Sequence, residues 1–458
     1  MWKQRYVFVC ALIACFVVTM FASLSAQSDP STLPLIQFAD LSYLGGFRLP
    51  DQFINGDGFT LGGSPVAFNP SRNSLFIGTR AGNVAEVAIP SLVNSNVITQ
   101  LPFANFLQGF YEPTEGTLAQ VATGGPASIT GLLVSGDRLY GSASIYYDAN
   151  NTQRVSHYSR STTLSTPGVM GMRQVWEDAH SGFVSGYMSA VPPEWQQKLG
   201  GSAITGQCCL PVAWRTSWGP SAFVFNPADI ASMAKVPATP LVYYSDSHPT
   251  LGSWDHSNPT FGGTTQITGV AVIAGSRTVL FVGRNGTGPF CYGNGTNNQS
   301  LAGTTGPDGA LWCYDPTSTA KAQHAYPYHY QLWAYDLNEL AAVKAGLKSP
   351  WQVLPYGVWS FGLPFPEPEV RLGGIGYDAS RQIIYISQLY ADQDGYGYRP
   401  IIHALKVGGV PGAPLPPPDT STLPPITNSA PSSPVITALA LTANKAAPQA
   451  AGTTITFS

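Results

Sequence analysis

Hydrophobic positions between residues 41 and 407 fall in short runs and not at helical spacing. A Gly-containing apolar stretch, a polar turn and a second apolar stretch recur as one phrase. It reads GGSPVAFNPSRNSLFIG at 62–78, ITGLLVSGDRLYGSA at 129–143, ITGVAVIAGSRTVLFVG at 267–283 and LGGIGYDASRQIIYIS at 372–387. Such runs, alternating or wholly apolar and bounded by Gly, Pro, Asn and Ser, predict strands. Arg72, Arg138, Arg277 and Arg381 hold matching places before the second strand, where a structural role at the hairpin turn is expected.

A second phrase follows each of the first: a strand often ending in a short helix, then another strand. It is NVAEVAIPSL and VITQLPF at 83–103, RVSHYSRS and MRQVWE at 154–177, SAFVFNPADIASM and PLVYYSD at 221–246, and YQLWAYDLNELAAVK and WQVLPYGVW at 330–359. FVSGYMSAV at 183–191 and the stretch Ser202–Thr205 open an irregular third unit. PIIHALKV at 400–407 has no strand after it, while SYLGGFRL at 42–49 is an orphan able to complete that unit. Pairing the two chain ends removes free sheet edges, the usual closure of a ring of sheets. The expectation is an all-β chain of five four-stranded units closed by the N-terminal strand. Six units, if 104–128 contains further strands, and an irregular array of β-sandwiches stay open as alternatives.

This repetition resembles a secreted bacterial β-propeller protein, in architecture and not in any one family. Residues 408–434 form a Pro/Ser/Thr-rich linker, extended and semi-rigid. Residues 435–458 resemble the start of an Ig-like or PKD-type module, which needs about 80–100 residues, so an incomplete Ig-like β-sandwich is expected there.

Composition adds a compartment. Lys3 and Arg5, an apolar run from Tyr6 to Leu24 and the small residues Ser23, Ser25 and Ala26 read as a signal peptide over 1–26. A retained membrane anchor is the alternative, since the run is long enough to span. Charged residues are 10% of the chain and net charge is −3, which gives phosphate-driven nucleic-acid binding little support. Beyond the signal peptide no membrane segment is expected. Four cysteines follow the signal, so disulfides are expected, Cys291 with Cys313 and, between neighbours, Cys208 with Cys209.

If the strands of each unit run outward from an axis, the long insertions 50–61, 104–128, 146–153, 206–219, 246–266, 284–328, 361–371 and 388–399 all fall at one end. Insertions gathered at one end of a rigid scaffold usually build a binding surface. Extracellular glycan is the expected partner, with Arg80, Arg284, Arg371, Trp214, Arg215, Trp218, Asp255 and His256 as candidate binding residues. The alternative is a carbohydrate-active enzyme, a glycoside hydrolase or polysaccharide lyase. A hydrolase needs two carboxyl groups about 5–9.5 Å apart, and a lyase a base beside a cation that neutralises a carboxylate. Glu369, Asp57, Glu115, Asp178 and His180 are the candidate catalytic groups. Five-bladed glycosidases carry acids on or near their innermost strands, whereas the strands expected here are small and apolar. Asp392 and Asp394 make a fragment of a calcium-loop pattern without its later ligands, so calcium is the one cofactor considered. His157 and His403 sit at similar places in their units and read as structural.

Overall fold

A computed structural model describes residues 29–176, 181–246, 250–256, 260–394 and 397–410. The signal-like segment, the linker beyond residue 410, the Ig-like segment, Asp178 and His180 lie outside the described residues. The described chain is all-β, with six sheets and two α-helices.

Strand β1 (Leu41–Arg48) precedes an antiparallel sheet of β2 (Val66–Asn69), β3 (Ser74–Gly78), β4 (Val84–Ala88) and β5 (Phe106–Tyr111). The second sheet is β6 (Ala127–Ser135), β7 (Arg138–Ile145), β8 (His157–Ser161) and β9 (Met170–Val175). The third holds β10 (Met188–Ala190), β11 (Ala203–Thr205) and β12 (Ala222–Phe225), with helix α1 (Pro193–Leu199) between the first two. The short β13 (Lys235–Val236) joins β9 in parallel, and β14 (Ala238–Val242) completes the third sheet. The fourth is β15 (Gln266–Val272), β16 (Thr278–Gly286), β20 (Tyr328–Asp336) and β21 (Gly357–Phe361), with helix α2 (Leu337–Lys344) after β20. An insertion within it makes a separate sheet of β17 (Cys291–Thr296), β18 (Leu311–Tyr314) and β19 (Lys321–His324). Last come β22 (Leu372–Asp378), β23 (Ile383–Asp394) and β24 (Gly397–Val407), and β24 pairs with β1 from Leu41↔Val407 to Arg48↔Ile401.

The first strands of these five sheets touch in cyclic order: β2 with β6, β6 with β10, β10 with β15, β15 with β22, and β22 with β2. Their glycines allow the approach. A Cβ on Gly131 would lie 1.9 Å from the Gly186 carbonyl oxygen, and one on Gly373 would lie 2.2 Å from that of Gly63. Apolar side chains fill the spaces between neighbouring sheets. Trp195 of α1 is fully buried, packs in one cluster with Trp333, Tyr244 and Tyr335, and donates its indole N–H to the Ser276 carbonyl at 2.8 Å. A side chain of this kind stabilises by roughly 2–3 kcal/mol when buried.

Three of the hairpin arginines act within their own sheets, and Arg381 also reaches Asn73 of the first sheet. Arg72 pairs with buried Glu86 on β4 at 2.8 Å, and Arg277 lies 3.6 Å from Asp336 at the end of β20. Arg138 donates to the Ser159 hydroxyl on β8, and Arg381 pairs with Asp378. In the first three the turn between strands one and two is tied to strand three.

Two expectations of detail are corrected. The outer strand of the first sheet is Phe106–Tyr111 and not residues 97–103, where a 3-10 turn spans Ile98–Gln100. The reason is burial: Phe106 and Phe110 pack on Phe59, and Gln108 donates to Glu86 at 2.6 Å, whereas Val97 and Phe103 stay exposed. Residues 388–394 and 397–399 are hairpin and not loop, since β23 and β24 continue through them.

Candidate functional site

Chain direction gives the ring two unlike ends. Each inner strand starts at the end that carries the long loops and finishes at the end that carries α1 and α2. At the starting end, a cavity of about 310 Å³ opens between the five sheets. Ser64, Arg80, Ser128, Thr130, Gln207 and Thr268 supply its polar groups, and Leu61, Ile129, Tyr187, Ile267 and Leu389 its apolar ones. No carboxylate or imidazole lines this mouth among the described residues.

Local backbone irregularity builds the polar wall. The pairing register of β6 with β7 shifts between Ile129 and Gly131, and that of β15 with β16 between Ile267 and Gly269. Thr130 and Thr268 occupy these two equivalent shifts, and such an extra residue re-aims its side chain out of the sheet pattern. The Thr130 hydroxyl donates to the Ser185 carbonyl of the next sheet. The Thr268 hydroxyl oxygen is buried and has no hydrogen-bond partner among the described residues.

Arg80 sits on a turn held from below. Asp57 accepts from the Thr79 hydroxyl at 2.7 Å, the Asn83 amide at 2.8 Å and the Gly58 N–H at 2.8 Å. Thr79 N–H donates to the Asn83 carbonyl and Gly82 N–H to the Thr79 carbonyl, which closes the turn. Arg80 itself is exposed and makes no ion pair or hydrogen bond among the described residues.

Below the mouth the passage narrows to about 10 Å³ at a waist lined by Gly131, Gly269 and Gly374. Beyond it a bowl of about 760 Å³ opens at the helical end. Its walls are mostly apolar, with Leu132, Val134, Met188, Val270, Val272 and Ile375 among them.

The other candidate residues are dispersed. Glu369 pairs with Arg371, and its carbonyl oxygen accepts from Arg284, which also lies over the Tyr328 ring at 4.7 Å. Beneath them Glu367 accepts from the N–H groups of Glu369 and Arg371, and burial raises its pKa. Glu115 accepts from Gly168 N–H and lies 4.0 Å from Arg160. Arg215 is fully buried beside Asp148 at 3.6 Å. Burial works against the Asp148 carboxylate, but donors from Thr152 and Gln153 outweigh it and its pKa is lowered. Trp218 is buried against Trp254 and Phe261, while Trp214 is exposed. Asp255 and His256 are exposed and bonded to each other at 2.7 Å. Among the described residues, none of Asp57, Glu115 and Glu369 lines the mouth.

The remaining chemistry is structural. Asp392 is buried between Arg48, at 2.9 and 3.1 Å, and Arg399, at 3.3 Å, and these cations oppose a calcium ion there. Asp394 lies on the same strand, and no group of three or more His, Cys, Asp or Glu suited to a metal occurs among the described residues. Cys208–Cys209 and Cys291–Cys313 form disulfides. His157 is buried between Ser156 and Thr205, and His403 between Tyr43 and Gln388; burial lowers each pKa to about 3. No helix among the described residues is long and apolar enough to cross a membrane.

The mouth hydroxyls were missed in the sequence, where charged and aromatic loop residues drew the attention. A signal was present: Ile-Thr-Gly occurs at both 129–131 and 267–269, at the start of a repeated phrase.

No family model matches the chain, and no curated protein sequence matches it. Among solved structures, a luciferin-regenerating enzyme is similar at a TM-score of 0.33 and 7% identity, over 84% of this chain and 100% of its own. A likeness at that level defines neither fold nor activity.

Proposed function

We propose that the five four-stranded sheets are the blades of a β-propeller closed by strand β1, and that the exported protein binds extracellular glycan at its mouth. The cyclic contacts of the inner strands and the pairing of β1 with β24 support the architecture. The two disulfides favour an oxidising compartment and so agree with export.

The observation that carries the binding reading is the lining of the mouth. Hydroxyls, an amide and a guanidinium drawn from four of the five sheets suit hydrogen bonding to sugar hydroxyls. Hydrolysis by two carboxyl groups has no pair in that lining, because Asp57, Glu115 and Glu369 are each engaged elsewhere.

The test uses the exported chain with immobilised neutral and acidic polysaccharides. Retention without release of oligosaccharides, followed by mass spectrometry of the soluble fraction, is the expected result. New oligosaccharides would replace this reading with an enzymatic one. Failure to be retained on any polysaccharide would end the glycan reading.

A further inference from the structure

We propose that the mouth selects a terminal acidic sugar, a unit bearing a carboxylate or sulfate that pairs with Arg80; the proposal rests on the glycan reading above. Arg80 is unlike the other arginines of this end. Arg284 and Arg371 are held by Glu369, Arg215 by Asp148, and Arg48 and Arg399 by Asp392. Arg80 alone of these six lines the mouth, and it has no partner among the described residues.

The acid of this turn is committed to it. The Asp57 carboxylate accepts from Gly58, Thr79 and Asn83, so it builds the turn that carries Arg80 and does not pair with it. Asp57 is thereby a positioning residue. A guanidinium offers a planar fork that matches carboxylate or sulfate, and an ion-assisted bond of this kind is roughly twice as strong as a neutral one. No acid in the described lining repels an incoming anion.

The rest of the lining suits the sugar ring. Ser128, Thr130, Gln207 and Thr268 line the same space as Arg80. A cavity of about 310 Å³ lies at the low end of small-molecule sites, and the waist of about 10 Å³ beneath it stops a chain from threading through. A blind pocket of this size takes the end of a chain or a branch, not its middle.

The experiment is titration calorimetry on the full exported chain with two probes. One is a short oligogalacturonate; the other is the same oligosaccharide with its carboxyl groups reduced to hydroxymethyl. The acidic probe is expected to bind the natural protein about tenfold or more tighter than the reduced one, with the gap narrowing as salt rises. Arg80→Ala should close the gap, and Arg80→Lys should keep part of it. Lys344→Ala removes one cation at the helical end and should leave the gap intact. Unchanged melting temperature in the Arg80 variants would show that they fold. Equal binding of both probes by the natural protein would overturn acid selection while leaving glycan binding standing. A gap that survives Arg80→Ala would overturn the role of Arg80. Binding of neither probe, alongside failure of retention on every polysaccharide, would overturn the underlying reading instead.

Discussion

The mouth and the bowl are made by opposite ends of the same inner strands, yet they differ in almost every physical respect. The mouth is small and mixed, with polar and apolar groups in similar measure and hydroxyls at strand starts. The bowl is more than twice as large and mostly apolar, walled by strand finishes and flanked by α1. Between them the glycine waist leaves almost no room. One strand can serve both ends because an irregular residue near its start turns a threonine inward, while regular alternation further along presents Leu, Val and Ile. A change of a single residue's register therefore separates two chemical environments a few residues apart.

Four measurements would break or sharpen that contrast. The largest effect concerns the walls that hold the two ends apart. His157 and His403 are neutral and buried with pKa values near 3, against about 6.5 in the unfolded chain. Above pH 6.5 neither state binds protons there and the pair contributes nothing. Between pH 6.5 and 3 the unfolded chain takes up two protons that the folded chain does not, so stability falls as pH falls. Chemical denaturation should show a loss of about 4 kcal/mol between pH 7 and pH 5. A flat profile over that range would mean that these histidines are not held neutral.

Next comes the waist. Gly131→Val puts a side chain where the Gly186 carbonyl oxygen already lies at 1.9 Å from a bare Cβ. Overpacking against backbone should cost about 3 kcal/mol or more, visible as a lowered denaturation midpoint. Stability equal to the natural protein would show that the inner strands do not meet as closely as described.

The two ends can then be compared directly. Leu132→Ala at the bowl should cost about 2 kcal/mol, the low side of such truncations, because one face of Leu132 already borders open space. Thr268→Ala at the mouth should change stability by less than about 0.5 kcal/mol, because it removes a buried hydroxyl that has no partner. Equal costs at the two positions, read from paired urea titrations, would erase the distinction between a wall that supports the fold and one that contributes little to it.

Much of this arrangement was legible in the sequence, for a definite reason. Inner strands are buried on both faces, so LLV at 132–134 and VAV at 270–272 stand out as apolar, and their glycines mark close approach. The orphan strand near residue 42 was legible because PIIHALKV lacked a successor, and β1 does pair with β24. Outer strands were harder. Phe106–Tyr111 carries a polar Gln108 whose burial depends on Glu86, 22 residues earlier on the preceding strand, and no local pattern reports that. Of the candidate site, Arg80 stood among the binding candidates, but Asp57 was weighed as an acid when its geometry makes it a brace. Thr130 and Thr268 were overlooked because a threonine within a strand looks like ordinary strand composition until the register shift is seen.

The joining of β1 to β24 also has a topological consequence. Asp40 and Gly408 are neighbours, with the Gly408 N–H donating to the Asp40 carbonyl at 2.7 Å. The last sheet is therefore completed by hydrogen bonds between two segments far apart in the chain, and the place of that seam is a choice of chain order and not of shape. A short peptide joining residue 408 to residue 40, with the chain reopened at the exposed Gly136 turn between β6 and β7, would move the seam to another sheet while leaving the mouth's residues where they are.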